Sequence, residues 1–263
     1  MHTTARVDLP SLRELSSLAA ESNPSGEAFA DGVDGRSITW DAFDERSARA
    51  ANALREHVGQ GDRVAFVCEG SVDHVTLWNG GLKAGCLVSN LHVRSSPETM
   101  RDCIDRLRPR VVVLDEEFSE FFEERVYGDI TTDLDAVITT GDPRADYETS
   151  IESALARQPA TEPDVRSREE DLVSVVWTSG TTGQPKGWCL SNRAAVLRGV
   201  KLMGALNISR TTRRVQVLSP SFAAWFTGTV PAMLTASATC FLRTWDPETY
   251  LRVIDEREQT MAT

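Results

Sequence analysis

Between Leu172 and Gly187 an apolar, β-branched run leads straight into a cluster of glycine and hydroxyl residues. Leu172-Val-Ser-Val-Val-Trp177 has the length and composition of a buried strand. Thr178-Ser-Gly-Thr-Thr-Gly183 follows, and then Gln184-Pro-Lys-Gly187. The chemistry these residues offer is that of an anion cradle. Gly180 and Gly183 can take positive φ and carry no Cβ to hold a ligand away. Successive backbone N–H groups can converge on phosphate oxygens, with the hydroxyls of Thr178, Ser179, Thr181 and Thr182 as further donors. Lys186 adds a compact positive charge for the same group. An ordinary surface turn has the same composition, so the cluster alone does not decide. A Walker loop, G-x-x-x-x-G-K-[ST], is a poor fit because Gln184-Pro185 follows Gly183. That also disfavours an unrelated P-loop kinase.

The whole chain narrows the classes. Its 263 residues with 41% apolar content suffice for one large or two ordinary domains. A net charge of −11 argues against a nucleic-acid or anionic-membrane surface. The only lysines are Lys83, Lys186 and Lys201, and one of these falls in the glycine loop. Cys68, Cys86, Cys103, Cys189 and Cys240 form no C-x-x-C pair and read as small core residues in a reducing compartment. His2, His57, His74 and His92 show no ligand spacing and read as incidental, and no metal site is expected. With no apolar signal core and no run of membrane-spanning length, the expectation is a cytoplasmic protein.

Elements that would carry the loop can be read along the chain. A short helix is expected over Leu9–Ala20 and an amphipathic helix from Asp41 with Phe43, Ala50, Ala51, Leu54 and Val58 on one face. A strand at Arg63–Cys68, a helix over Ser71–Leu82 and a strand at Cys86–Ser89 follow. Ser96 caps a helix with Pro97 at its first position, and Val111–Leu114 is a strand. Weaker signals run through Phe118–Val126, Ala136–Ile138 and Tyr147–Ala156. Residues 158–170 form a polar connector between a first region, 1–157, and the phosphate-loop region, 171–263. Beyond the loop, Ser191 or Asn192 caps a helix to about Leu206, and Val215–Leu218 is a strand. A helix at Thr229–Thr235, a strand at Ala238–Leu242 and a helix from Asp246-Pro247 to Arg257 complete the pattern. The alternation predicts an α/β fold of mainly parallel, doubly wound sheets with flanking helices. Ligands in such sheets sit at the carboxyl ends of strands, where the loop after Trp177 would lie. Lys83 and Lys201 are expected to be solvated.

Thr178-Ser-Gly-Thr-Thr-Gly-Gln-Pro-Lys-Gly187 resembles the signature loop of the adenylate-forming (AMP-binding) superfamily, which includes acyl- and aryl-CoA synthetases, peptide-synthetase adenylation domains and luciferases. Further collinear pieces resemble the same family: Ile38–Arg46 with Ala50–Arg55, Gly61–Ala65, Leu82–Val88, Asn90–Arg94, Ser219–Phe222 and Phe241–Thr263. The resemblance implies an acyl-CoA synthetase-like ligase using ATP, Mg²⁺ and CoA on a small carboxylic acid. Thr178, Ser179, Gly180, Thr181, Thr182, Gly183 and Lys186 would hold the leaving phosphates. Phe222, Ala223 and Trp225 would contribute to the acyl pocket, although many CoA ligases carry His where Ala223 stands. The family's adenine-side motif, ribose-binding Asp, hinge and small C-terminal domain have no counterpart in these residues. The expectation is therefore an incomplete N-terminal portion, inactive alone. A non-catalytic homologue that binds nucleotide, self-associates or pairs with a complementing chain through an open sheet edge after Leu242 is the alternative.

Overall fold

The computed structural model describes residues 9–178 and 184–262, so the expectations for Ser179–Gly183 and Thr263 lie outside the described residues. The chain runs through α1 (Leu15–Ser22), β1 (Glu27–Asp31), β2 (Ser37–Thr39), α2 (Trp40–Arg55), β3 (Arg63–Val67), α3 (Val72–Lys83) and β4 (Leu87–Asn90). Next come α4 (Pro97–Leu107), β5 (Val111–Leu114), α5 (Ser119–Arg125), β6 (Ala136–Thr139), β7 (Glu148–Ser150) and α6 (Ile151–Leu155). After the connector follow β8 (Leu172–Thr178), β9 (Lys186–Ser191), α7 (Asn192–Ala205), β10 (Arg213–Gln216), α8 (Phe226–Thr235), β11 (Ala238–Phe241), α9 (Pro247–Glu256) and β12 (Met261–Ala262).

Two mainly parallel sheets result, as the α/β reading expects. One has seven strands in the order β7-β6-β5-β3-β4-β8-β9, the other five in the order β12-β10-β11-β1-β2. Among the described residues, only the β8/β9 and β1/β2 pairs are antiparallel. Neither sheet respects the division at the connector, because β1 pairs with β11 and β8 inserts beside β4. Strand β11 lies inside its sheet, between β10 and β1, and the strand that follows Leu242, the two-residue β12, lies at the sheet's edge beside β10. Among the described residues, the sheet edges are β9 and β7 in the larger sheet, and β2 and β12 in the smaller.

Side-chain alternation explains the layers. In β3, Val64 and Phe66 face the interior shared with α2, α3 and α8, while Ala65 and Val67 face the layer containing Met100, Ile104 and Phe122. In β11, Phe241 faces the shared interior, and Cys240 packs with Val215 and Val253 on the far side. The shared interior is aromatic: Phe29 contacts Trp40, Phe43 and Phe241 at centroid distances of 5.4, 4.8 and 5.6 Å. Hydroxyl and carboxylate caps start the helices where the sequence places them. Ser96 accepts from Thr99 N (3.3 Å), Ser191 from Ala194 N (3.3 Å) and Asp246 from Thr249 N (2.8 Å).

Lys83 overturns its expectation. It is fully buried at the end of α3, where its Nζ meets Asp44 Oδ1 at 2.8 Å, Ser17 Oγ at 3.0 Å and Glu162 Oε1. Glu162 belongs to the connector, which is also read by Arg49 and Asn52 through the carbonyls of Gln158, Pro159 and Thr161. The ammonium is thus a node tying α1, α2 and α3 to the segment that delivers β8. Replacing Lys83 by Met leaves Asp44 without its cation and Glu162 with Arg13 alone, 3.1 Å away, and should cost about 3 kcal/mol. A fall in the urea midpoint with an unchanged m-value would show it.

Candidate functional site

The described ends of the glycine loop lie at the mouth of a hairpin. Strands β8 and β9 pair from Leu172 and Ser191 up to Thr178 opposite Lys186. At that last pair the Thr178 hydroxyl donates to the Lys186 carbonyl at 3.3 Å. Both residues are exposed, and both sit at the carboxyl end of β8. Lys186 opens a strand rather than a helix, which removes the Walker geometry. The structure therefore brings Thr178 and Lys186 together. Ser179, Gly180, Thr181, Thr182 and Gly183 are outside the described residues.

Strand β8 joins β4 through one register pair, Val88 with Ser174. Ser89 supplements it by donating to the Val175 carbonyl at 3.0 Å and accepting from Trp177 Nε1 at 3.0 Å. Over the Trp177 ring, the Arg106 guanidinium of α4 lies 5.2 Å from the ring centroid and donates to the Pro185 carbonyl at 2.7 Å.

Beside the hairpin mouth is a cavity of about 240 Å³. Leu91, Met100, Trp177, Pro185 and Phe222 give it apolar walls, and His92, Ser95, Thr99, Thr178 and Ser221 line it with polar groups. A larger hollow of about 510 Å³ lies by Leu87 and Leu172, at the amino ends of β4 and β8. Open α/β sheets bind ligands at the opposite ends, so the smaller cavity is the better candidate.

The three residues proposed for an acyl wall separate. Phe222 is 52% exposed and borders the cavity. Ala223 is half-buried and packs against the shared interior. Trp225 is wholly buried, with its ring 5.0 Å from Trp78 and 5.2 Å from His74, and does not reach the cavity. Its place at the entry to α8 turns it inward.

Two histidines read as incidental have defined places. His92 lines the cavity, with Nδ1 3.4 Å from Ser221 Oγ and its ring 5.4 Å from Phe222. Partial burial and the neighbouring Arg94 charge lower its pKa. His74 is fully buried, and its Nε2 donates to Asn90 Oδ1 at 2.8 Å, holding the strand end from which the His92 loop departs. Neither had a sequence signal, because their partners come from β4 and from the loop before α8.

The sequence matches the family described as AMP-binding enzyme over residues 17–263. The chain belongs to this family. AMP-binding relatives include a 3-hydroxybenzoate–CoA ligase of Aromatoleum sp. (strain CIB), 28% identical over 230 residues, covering 86% of this chain and 43% of the relative. Another is a 3-hydroxybenzoate–CoA/4-hydroxybenzoate–CoA ligase of Thauera aromatica, 30% identical over 163 residues, covering 62% and 31%. The chain thus spans less than half the length of these relatives. The AMP-binding fold is equally clear in solved structures. The anthranilate CoA ligase AuaEII in complex with anthranoyl-AMP superposes with a TM-score of 0.90 at 19% identity, covering 100% of this chain and 51% of that one. The N-terminal domain of FACL13 from Mycobacterium tuberculosis gives 0.87 at 19% identity, covering 97% and 62%.

The buried imidazole beneath this site makes stability pH-dependent. Desolvation outweighs the Asn90 hydrogen bond and drives the His74 pKa from 6.5 to about 4, so the folded state keeps the ring neutral. Between those values the unfolded chain binds the extra proton, and stability falls as pH drops from 6.5 towards 4. Burial lifts the Asp31, Glu69 and Asp115 carboxyls, which act in the opposite sense, so a comparison is needed. Denaturation of the parent chain should lose stability more steeply over this window than denaturation of His74→Gln.

Proposed function

We propose that the chain carries the phosphate-handling part of an ATP-dependent acid–thiol ligase. A carboxylate oxygen attacks the α-phosphorus of ATP, the bond to pyrophosphate breaks, and an acyl-adenylate forms. The thiol of CoA then attacks the acyl carbon and AMP leaves. The observation that carries this reading is the pairing of Thr178 and Lys186 at the carboxyl end of β8, in a chain of the AMP-binding family. The hydroxyls of Thr178, Ser179, Thr181 and Thr182 and the amides of Gly180 and Gly183 bind the β- and γ-phosphates. Lys186 neutralises the charge that grows as pyrophosphate departs. Among the described residues, none lining the adjoining cavity is a carboxylate, so a divalent ion fits this site as a passenger on the nucleotide's phosphates rather than as a protein-held metal. When bound, Mg²⁺ supplies further charge neutralisation. The acid approaches past Phe222 and Ala223, with Trp225 acting as the packed support beneath them. The two hydroxybenzoate ligases among the relatives make hydroxybenzoates the first acids to test.

One observation favours a second reading, in which this stretch works with a complementing chain. Strand β9 is a sheet edge, Lys186 to Cys189 are exposed along it, and Trp188 is 47% exposed. Unpaired edges of this kind recruit further strands. Light scattering over a concentration series should then show mass rising above that of one 28.9 kDa chain; a monomer throughout would remove this reading.

The primary test is calorimetric titration with ATP and Mg²⁺. The parent chain should bind saturably, and Lys186→Ala should bind about tenfold more weakly, as expected for loss of one charge-assisted contact. The 263 residues alone should show no acid-dependent ATP–pyrophosphate exchange. Equal binding by parent and variant would defeat the phosphate assignment, and exchange by these residues alone would defeat the assignment of an incomplete site.

A further inference from the structure

Arg106 stands outside every motif, yet it touches the strand that enters the glycine loop and the residue just before the strand that leaves it. Its guanidinium packs on Trp177, the residue before Thr178, with Cζ 5.2 Å from the ring centroid. The same group donates through Nη1 to the carbonyl of Pro185, the residue before Lys186, at 2.7 Å. Asp102, one helical turn earlier on α4, receives Nη1 at 3.0 Å and fixes the side chain's direction. Planar stacking on an indole and a directed N–H bond are things a guanidinium can do together and an ammonium cannot.

At the edge of Trp177, Ser89 accepts from the indole N–H while donating to the Val175 carbonyl. Trp177 is therefore held at two points, by a hydroxyl from β4 and a cation from α4. Pro185 has no N–H of its own, so its carbonyl is the backbone group by which that end of the loop can be held. Arg106 takes it.

We propose that Arg106 is a positioning residue for the phosphate loop: it fixes the spacing and orientation of the Trp177–Thr178 and Pro185–Lys186 ends, so that the Thr178 hydroxyl and the Lys186 ammonium meet the same polyphosphate. This rests on the phosphate-site reading above. Arg106 acts through the backbone and through Trp177, not by touching the nucleotide, and its guanidinium is ion-paired with Asp102.

The test is MgATP titration of the parent chain, Arg106→Ala, Arg106→Gln, Lys186→Ala and Arg101→Ala. Gln keeps a donor for the Pro185 carbonyl but carries no charge. Arg101 is on the same helix and bonds elsewhere, to the Arg125 carbonyl and Asp129, so it controls for damage to α4. Arg106→Ala should weaken MgATP by about tenfold, Arg106→Gln should recover most of that loss, and Arg101→Ala should bind like the parent. Should Arg106→Ala not fold, Arg106→Leu, which keeps an apolar stem over Trp177, takes its place. Gln as weak as Ala would mean that Arg106 acts by charge, and would overturn the positioning role. Parent-like binding by Arg106→Ala alongside weakened Lys186→Ala would overturn the inference while leaving the phosphate site intact. No binding by the parent chain would overturn both.

Discussion

The close approach of α2 and α3 between the two sheets is the constraint on which the rest of the molecule depends. A Cβ at Gly80 would lie 2.6 Å from the Ala50 Cβ and 3.1 Å from the Ala51 nitrogen, distances that only a bare backbone can meet. The contact brings two helices to the separation at which Phe29 and Phe43, Trp78 and Trp225 fill one continuous interior. Both sheets pack on that interior, and each is assembled from segments far apart in the chain. The spacing of one helix pair therefore reaches the glycine hairpin. Helix α3 runs directly into β4, which pairs with β3 and carries β8 through one register pair and the Ser89 hydroxyl.

Most of the elements in this arrangement were legible because their signals are local. The Ser96-Pro97 and Asp246-Pro247 starts describe caps made within four residues, and the structure forms both. Val111–Leu114 reads as a strand, and it is one, buried along its whole length. The strands that escaped notice lack such signals. β9 begins Lys-Gly-Trp, is exposed along most of its length and is defined by its antiparallel partner rather than by its own periodicity. β1, Glu-Ala-Phe-Ala-Asp, has charged ends and only three apolar residues, and pairs with β11 some two hundred positions on. Lys83 failed for a related reason. Its charge looks solvated in sequence because Glu162 is 79 residues away.

The site divides along the same line. Thr178 and Lys186 were visible because glycine, hydroxyl and lysine chemistry is compressed into ten residues. His92 and Arg106 were not, since neither means anything until α4 and the loop before α8 fold against β8. Trp225 shows the converse. An aromatic close to a recognised segment looks like pocket wall, yet the entry to α8 rotates it into the core, where a large flat ring gains most from burial.

Charge explains why such supporting contacts matter here. The chain carries a net −11, so its overall field disfavours approach of a polyanionic nucleotide. Screening confines charge interactions to about 8 Å at physiological ionic strength, leaving attraction to groups at the loop itself. Near the hairpin mouth the positive groups are few. Arg106 is paired with Asp102, His92 has a lowered pKa, and Lys186 stands at the last pair of β9. Affinity for phosphate must then come from short, well-directed bonds to hydroxyls, amides and one ammonium, whose strength falls steeply with misalignment. A site of that kind depends on the parts that hold its donors in place as much as on the donors, which is why Ser89 and Arg106 belong to its design although neither lies in the glycine loop.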